Sequence, residues 1–190
     1  MRFDYYKLAI DLWYLLGAIW LLGMLTATKT TARRQSAGSR ISQSALTLLG
    51  LYLVFIRNHI AWMNPQFLTP SDATGVLGLA ITLLGVAFAV WARVTLGKNW
   101  SGTVTLKQDH TLVRRGPYRI VRHPIYTGFL LAALGVAVIT GEVRGLVGAA
   151  ILFVAFRVKS LTEESFMLAN FGEQYVEYKR EVKALIPWVF

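Results

Sequence analysis

The chain contains no cysteine, and charged residues make up only 16% of its 190 residues. The absence of cysteine excludes disulfides, thiolate nucleophiles and thiolate metal ligands, and it leaves the redox compartment open. The charged share is well below the roughly 25% that is usual for soluble globular proteins. Together with a hydrophobic share of 55%, this composition indicates an integral membrane protein with one domain, residues 1–190.

Acidic residues are also scarce, because 10 Asp and Glu face 20 Lys and Arg and leave a net charge of +10. Such an excess is typical of nucleic-acid binding or of loops held against an anionic membrane surface. The basic residues lie between apolar segments rather than along one soluble face, which favours the membrane and argues against nucleic acid. Asp4 and Asp11 near the start are unlike a cleaved secretion signal, so the first apolar segment is expected to remain as an anchor.

Five apolar segments predict an all-α, polytopic membrane protein with about five transmembrane helices. Two of them have the roughly 20 residues that cross a bilayer, and three are shorter. The last two are separated only by Gly-Glu-Val-Arg, which predicts a tight helical hairpin. The segments are residues 8–27, 46–62, 75–94, 125–140 and 145–158.

The loops predict the orientation, because Lys and Arg accumulate on the cytoplasmic side of membranes. Loop one holds Lys29, Arg33, Arg34 and Arg40, and loop three holds Lys98, Lys107, Arg114, Arg115, Arg119 and Arg122. The loops 64–74 and 141–145 carry almost no net positive charge. We therefore expect loops one and three to be cytoplasmic, with the N-terminus outside and the C-terminus inside.

Glycines in the third and fourth segments predict close helix packing, which is the common role of small residues in membrane helices. They are Gly75, Gly78, Gly85, Gly128 and Gly135.

Residues 157–190 alternate charges with aromatics at helical spacing. The fifth helix is expected to continue into the cytoplasm and to break near Phe171 and Gly172. It then resumes as an amphipathic helix that ends before Pro187 and covers a cytoplasmic pocket.

The stretch GPYRIVRHPIYTGFL, residues 116–130, places a dense polar cluster in front of an apolar segment. If a helix begins at Pro124, then His123 lies at its entrance, where free amides and the helix dipole favour an anion. The arginines have a simpler explanation as anchors to lipid phosphate. An anchor does not require the imidazole of His123 and the phenol of Tyr126 one turn apart, so we interpret these two as functional.

A second polar group, KSLTEE, follows the fifth apolar segment. Lys159 and Glu163 share a helical face and either form a surface ion pair or hold ligand groups of opposite charge. No dinucleotide, P-loop or H-E-x-x-H motif is present, and the three histidines lack metal spacing. Any nucleotide cofactor is therefore expected at helices and loops of the membrane face, and no metal site is predicted.

Several ordered blocks resemble the isoprenylcysteine carboxyl methyltransferase family, within the wider group that includes phospholipid N-methyltransferases. The resemblance covers roughly the C-terminal half, from LGKNWSGTV through R-H-P-x-Y-x-G and the paired glutamates to F-G-E-x-Y-x-x-Y-K. The first two apolar segments match only in hydrophobicity. The resemblance divides the chain into N-terminal spans, 1–70, and a catalytic core, 75–190.

The resemblance implies an enzyme that binds S-adenosylmethionine on the cytoplasmic side and admits a lipid or prenylated substrate from the bilayer. It assigns the substrate carboxylate to Lys159, where the family has an arginine, with Arg157 as one possible substitute. The cofactor would be bound by His110, Thr111, Leu112, Val113, Tyr118, His123, Pro124, Ile125, Tyr126, Glu163 and Glu164. The oligomeric state stays open.

Three alternatives remain at this point. A phospholipid amine methyltransferase would use the same cofactor site but would need a proton acceptor, such as Glu164 or His123. An NADPH-dependent sterol-type reductase carries a similar R-H-P-x-Y-x-G block, and the paired glutamates argue against it. A lipid-anchored scaffold would leave the grouped His, Tyr and Glu unexplained.

Overall fold

The computed structural model describes residues 4–25, 31–34, 37–56, 65–100, 105–107 and 111–189. Six α-helices make up most of this part of the chain, with 3₁₀ turns at Gly97–Asn99 and Gly116–Arg119. Two short strands, β1 (Thr31–Arg34) and β2 (Thr105–Lys107), pair antiparallel. The helices are α1 (Tyr5–Leu25), α2 (Ala37–Phe55), α3 (Asp72–Leu96), α4 (Pro124–Thr140), α5 (Val143–Phe171) and α6 (Glu173–Glu181).

Each of the five predicted apolar segments overlaps one helix, and most of the described chain is helical, as expected. Within the described residues, three helices are long and apolar enough to cross a membrane: Tyr5–Met24, Asp72–Leu96 and Val143–Phe171. Ile41–Phe55 and Pro124–Thr140 are shorter apolar helices. The second segment is predicted at 46–62, whereas α2 begins at Ala37, because its first turns are polar and carry no hydrophobic signal. Residues 57–62 lie outside the described residues.

The loops between helices fall into two groups at opposite ends of the bundle. At one end, the backbone of Phe67 donates to Gly141 (2.8 Å) and that of Val143 donates to Pro65 (3.1 Å). At the other end, β1 from loop one pairs with β2 from loop three. The grouping predicted from the loop charges is therefore confirmed, and the first five helices run alternately up and down.

Arg144 supplies hydrogen-bond donors to the last carbonyls of α2. It lies at the end of the bundle that holds residues 65–68 and 141–143. Its side chain is 1% exposed and forms an ion pair with Glu142. Its Nη1 donates to the carbonyl oxygens of Leu53 (3.0 Å) and Val54 (3.3 Å). The hydroxyl of Tyr6 donates to the next carbonyl, that of Phe55 (2.9 Å). Carbonyls at a helix end have no intrahelical partner, so these contacts satisfy them and fix α2 against α5 and α1.

Glycines allow α3 and α4 to pack backbone against backbone. A Cβ atom at Gly85 would lie 2.4 Å from the backbone nitrogen of Ala132, and one at Gly135 would lie 2.3 Å from Oγ1 of Thr82. Gly78 and Gly128 face equally close backbone atoms on the opposite helix. The predicted close approach is thus confirmed for α3 and α4, while Gly75 packs instead against the ring of Tyr5 on α1.

The tail follows the predicted course. Helix α5 ends at Phe171, and Gly172 turns the chain with a positive φ of 51° that suits glycine. Helix α6 ends at Glu181, Val182 is extended, and the next residues lie against the entrance of α4. There the carbonyls of Lys183 and Ala184 accept hydrogen bonds from the backbones of Arg122 (2.8 Å) and His123 (3.0 Å).

Replacing Gly85 by alanine is expected to destabilise the protein by about 1 to 3 kcal/mol, because the new methyl group forces α3 and α4 apart. The free energy of unfolding in mixed micelles measures the effect. Gly17 is the matched control, since it lies in a helix where an added Cβ atom would meet none of the described residues within 4 Å. Gly17→Ala should be neutral or slightly stabilising, and equal losses in both variants would contradict the packing role of Gly85.

Candidate active site

A cavity of about 290 Å³ lies at the end of the bundle where α4 begins. Its wall combines the C-terminal end of α1, the middle of α2, the 3₁₀ turn after α3, the start of α4, the second half of α5 and one face of α6. The lining residues are Trp20, Met24, Thr47, Leu96, Asn99, Trp100, Thr111, Leu112, Val113, Tyr118, Arg122, His123, Ile125, Tyr126, Phe129, Phe156, Lys159, Glu163, Phe166, Met167, Tyr175 and Tyr178.

His123 occupies the N-cap position of α4, directly before Pro124. Its side chain is only 8% exposed and lies between two carboxylates. Nδ1 is 3.3 Å from Oε2 of Glu163, and Nε2 is 3.2 Å from Oε1 of Glu164. The ring also stacks on Tyr126 with a centroid distance of 5.7 Å. The imidazole therefore holds one fixed orientation at the edge of the cavity.

Glu163 faces the cavity and is partly accessible, with a side chain that is 25% exposed. The hydroxyl of Tyr126 donates to Oε1, and His123 contacts Oε2. The ring of Tyr126 is stacked in turn on Phe156 at 4.9 Å. These contacts hold an acceptor-only carboxylate at a site where a cationic ligand group fits.

Glu164 points away from the cavity and is 4% exposed. Oε1 accepts hydrogen bonds from Nε (3.1 Å) and Nη2 (2.6 Å) of Arg122, and Oε2 pairs with Nζ of Lys179 at 2.9 Å. With His123 as a further partner, both oxygens are occupied. Glu164 therefore belongs to the frame of the site and does not line the cavity.

The environment changes the titration of the residues around the cavity. Burial disfavours the charged imidazolium, but hydrogen bonds and attraction from Glu163 and Glu164 outweigh it and raise the pKa of His123 above its ordinary value. Burial, reinforced by the charge of Glu163, raises the pKa of Tyr118. Burial likewise raises the pKa of Tyr175 and of Tyr178. These tyrosines are therefore neutral hydroxyl groups at physiological pH.

Lys159 supplies a cationic group to the cavity wall. Its Nζ lies 5.3 Å from the centroid of the Tyr126 ring, a cation–π distance. Arg157, two residues earlier, is not part of the wall, and its Nη1 donates to Oγ of Ser160 at 3.3 Å. Of the two basic residues that the resemblance associates with the substrate, Lys159 is the one that reaches the cavity.

The structure brings most of the predicted site residues to this one cavity. Pro124 is buried as the first residue of α4 and is not among the lining residues, and His110 lies outside the described residues. The predicted residues in the wall are Thr111, Leu112, Val113, Tyr118, His123, Ile125, Tyr126, Lys159 and Glu163.

Sequence reasoning missed the contributions of the first three helices. Nδ2 of Asn99 donates to Oγ1 of Thr111 (2.8 Å). Asn99 and Trp100 belong to the LGKNWSGTV block, and their place in this motif was the signal that could have identified them. Trp20 and Thr47 stand in apolar segments that give no indication of which face meets a ligand. Trp20 forms the wall through edge-to-face contacts with Trp100 (6.3 Å) and Phe129 (5.2 Å).

Among the described residues, no group of three His, Cys, Asp or Glu side chains is placed to hold a metal ion. Within this part of the chain, the polar side chains of the cavity wall include the carboxylate of Glu163, the imidazole of His123, the ammonium of Lys159, the guanidinium of Arg122, the amide of Asn99 and neutral hydroxyls. Such a set suits a ligand that carries both a cationic and an anionic group, with the carboxylate of Glu163 as the partner of the cationic group.

Three comparisons with known proteins each find similarity to methyltransferases. A sequence model of the phospholipid methyltransferase family matches residues 73–174, more than half of the chain. Protein-S-isoprenylcysteine O-methyltransferase B of Arabidopsis thaliana is 31% identical over 115 residues, 59% of this chain and 58% of that protein. The enzyme of Schizosaccharomyces pombe is 35% identical over 114 residues, 58% of this chain and 48% of that protein.

A solved structure is also similar, that of a eukaryotic intramembrane Ras methyltransferase, isoprenylcysteine carboxyl methyltransferase. It superimposes with a TM-score of 0.52 and 26% identity over 80% of this chain and 51% of that chain. The chain thus spans about half the length of the curated relatives it matches. The overlap with the family model includes the whole of α4 and α5.

Replacing Glu164 by glutamine is expected to destabilise the protein by on the order of 3 kcal/mol, because the buried guanidinium of Arg122 loses its counter-charge. Unfolding in mixed micelles measures this free energy. Glu181 is the control, since its ion pair with Arg114 lies at the surface with side chains 64% and 36% exposed. Glu181→Gln should change stability by less than about 1 kcal/mol; similar losses in both variants would argue against the buried network.

Stability is expected to fall as the pH rises through the raised pKa of His123. The folded state holds the imidazole proton more tightly than the unfolded chain, whose histidine has a pKa of about 6.5. The contribution is therefore complete below about pH 6.5 and is lost above the folded-state pKa. Unfolding free energies of wild type and His123→Gln, compared from about pH 6 to pH 9, should converge as the pH rises. A constant difference would contradict the stabilised imidazolium.

Proposed function

The chain belongs to the phospholipid methyltransferase family, and from this premise we propose that it transfers a methyl group from S-adenosylmethionine to a carboxylate on a membrane-partitioned, isoprenylcysteine-type acceptor. One observation carries the proposal: a single cavity unites the carboxylate of Glu163, held by His123 and Tyr126, with the cation of Lys159. The relatives named as protein-S-isoprenylcysteine O-methyltransferases support the carboxylate acceptor.

The residues of the cavity fit S-adenosylmethionine. Its amino group is a cation, and the carboxylate of Glu163 faces the cavity with part of its surface accessible. Its sulfonium is a second cation, for which the aromatic side chains of the wall, Tyr175 and Trp100 among them, are suitable neighbours. Thr111 and Asn99 add hydroxyl and amide groups for the nucleoside. When bound, this donor supplies a methyl group that is activated by its attachment to a positively charged sulfur.

The remaining residues orient the acceptor and exclude water. The ammonium of Lys159 attracts the acceptor carboxylate, and the apolar walls around Phe129 and Phe156 suit a hydrophobic body. A carboxylate is already ionised near neutral pH, so the reaction needs no general base. In-line displacement then depends on holding the two reacting groups close together in a site with little water.

Methylation of a phospholipid amine is the second candidate, and the description of the family model favours it. An amine must lose its proton before it attacks, which requires a proton acceptor. Glu164 has both oxygens occupied, and both ring nitrogens of His123 lie at carboxylate oxygens, which raise its pKa and favour the protonated form over a free base. Lys159 would also repel a cationic acceptor. These contacts favour the carboxylate.

The proposed topology has five crossings, with the N-terminus outside and both the cavity and the C-terminus on the cytoplasmic side. The alternation of the first five helices supports the count, although only three of them are long enough on their own by length and composition. The cavity lies at the end where the strands of loops one and three pair, and these loops carry the basic residues. Helix α6 closes the cavity from that side with Tyr175 and Tyr178.

Purified protein supplied with methyl-labelled S-adenosylmethionine and an S-farnesylated cysteine derivative should form a product that releases the label under base, as an ester does. Phosphatidylethanolamine supplied instead tests the amine, because a methylated amine keeps its label under base. Glu163→Gln is expected to lower affinity for the donor about tenfold or more, because a charged hydrogen bond worth about 1.5 to 3 kcal/mol is lost.

Glu173→Gln is the matched control, because that glutamate is exposed on α6 and makes the same change of charge. It should bind the donor as wild type does in calorimetry. Wild type that binds neither S-adenosylmethionine nor its demethylated product would refute the proposed function. A base-stable product formed only with the phospholipid would replace it by the amine reaction.

A further inference from the structure

The loop before α4 carries four arginines, and the structure gives them different surroundings. Arg115 and Arg119 are exposed. Arg114 forms a surface ion pair with Glu181 on α6. Arg122 differs from all of these, because its side chain is only 8% exposed. An arginine that binds lipid phosphate has an accessible guanidinium group, so the anchor interpretation does not describe Arg122.

Every guanidinium nitrogen of Arg122 already has an acceptor within the protein. Nε and Nη2 donate to the same oxygen of Glu164 on α5, at 3.1 and 2.6 Å. Nη1 donates to the carbonyl oxygens of Lys179 (3.3 Å) and Val182 at the C-terminal end of α6. One side chain thus joins α5 and α6 from a third segment, the entrance of α4.

The same end of α6, with the residues that follow it, is held by three further contacts. The ammonium of Lys179 pairs with the second oxygen of Glu164 at 2.9 Å. The backbone of Arg122 donates to the carbonyl of Lys183, and Oγ1 of Thr127 donates to that of Leu185 at 2.7 Å. Arg122 lies in the centre of this junction, which we call the α6 clamp: Arg122, Glu164, Lys179 and the carbonyl of Val182.

Helix α6 in turn supplies one wall of the cavity. Tyr175 and Tyr178 line it and are both buried, at 2% and 3% exposed. The hydroxyl of Tyr178 donates to the carbonyl of Tyr118 at 2.6 Å, and Tyr118 lines the same cavity. A shift of α6 would therefore move two tyrosines of the wall and would loosen the loop that carries a third.

We propose that Arg122 is a positioning residue for the methyl-donor site: it fixes α6 and the imidazole of His123 against Glu164 and so completes the donor-facing wall. The proposal rests on the proposed function. Arg122 does not act on the reacting atoms, because its nitrogens are committed to Glu164 and to α6. Only a planar fork of donors bonds a carboxylate and two carbonyls at once, so lysine cannot replace it fully.

The test measures donor binding and the mobility of α6 in the same variants. Because the chain has no cysteine, Glu177→Cys on the exposed side of α6 introduces a single site for a nitroxide spin label. In the Arg122→Ala background the label should become more mobile, and the KM for S-adenosylmethionine should rise about tenfold or more. The KM for the acceptor should change less than about twofold, since the acceptor groups lie on α4 and α5.

Arg119→Ala is the control, because it removes the same charge from an exposed position of the same loop. It should leave label mobility and both KM values unchanged. If Arg122 only stabilised the fold, its loss would lower the active fraction and hence kcat, with both KM values intact. That result, or equal label mobility in the two backgrounds, would overturn the proposal.

If the alanine variant does not fold, Arg122→Lys tests the positioning role of Arg122 instead. It keeps the charge beside Glu164 but loses the planar fork that also bonds the carbonyls of Lys179 and Val182, so we expect an intermediate rise in donor KM together with a mobile label. Wild-type donor KM in a stable Arg122→Lys protein would overturn the proposal. A wild-type chain that binds no donor would refute the proposed function and the donor-site role of Arg122 together, even where the label shows that the α6 clamp exists.

Discussion

The buried carboxylate of Glu164 is the constraint on which the arrangement of the site depends. A charge that is 4% exposed at the end of an apolar bundle must be compensated by its surroundings. Three partners do so from three parts of the chain: Arg122 from the loop, His123 from the entrance of α4 and Lys179 from α6. Because each partner must lie within hydrogen-bond distance of one carboxylate, the relative positions of these segments are fixed.

Glu163 and Glu164 have different roles because helix geometry points adjacent side chains in different directions. Successive residues of an α-helix are rotated by about 100°, so neighbouring side chains point to different faces. Glu163 faces the cavity, and Glu164 faces the tail. His123 contacts both, with one ring nitrogen on each carboxylate. A change in the charge or position of Glu163 therefore also affects His123, and through it the contact between His123 and Glu164.

The sequence predicted the parts of this arrangement that leave a local pattern. Long apolar stretches indicated the helices, Gly172 indicated the break before α6, and the order of His123, Tyr126 and Glu163 in their motifs indicated one site. It did not separate Arg122 from the other arginines of its loop, because burial depends on partners far along the chain. Likewise, Trp20 was not predicted, since a tryptophan in a uniformly apolar helix carries no sign of the face it presents.

The cavity is made from the ends of helices, so its shape depends on the register between them. Between α3 and α4 that register is set within the bundle, where Gly85 meets Ala132 and Gly78 meets Gly135 at backbone distance. Between α2 and α5 it is set at the opposite end, where Arg144 bonds the last carbonyls of α2. A slip by one residue along a helix moves a side chain by about 1.5 Å and rotates it by about 100°. Such a slip would turn Glu163 away from the cavity, so the remote packing contacts act on the same geometry that the Glu164 network fixes locally.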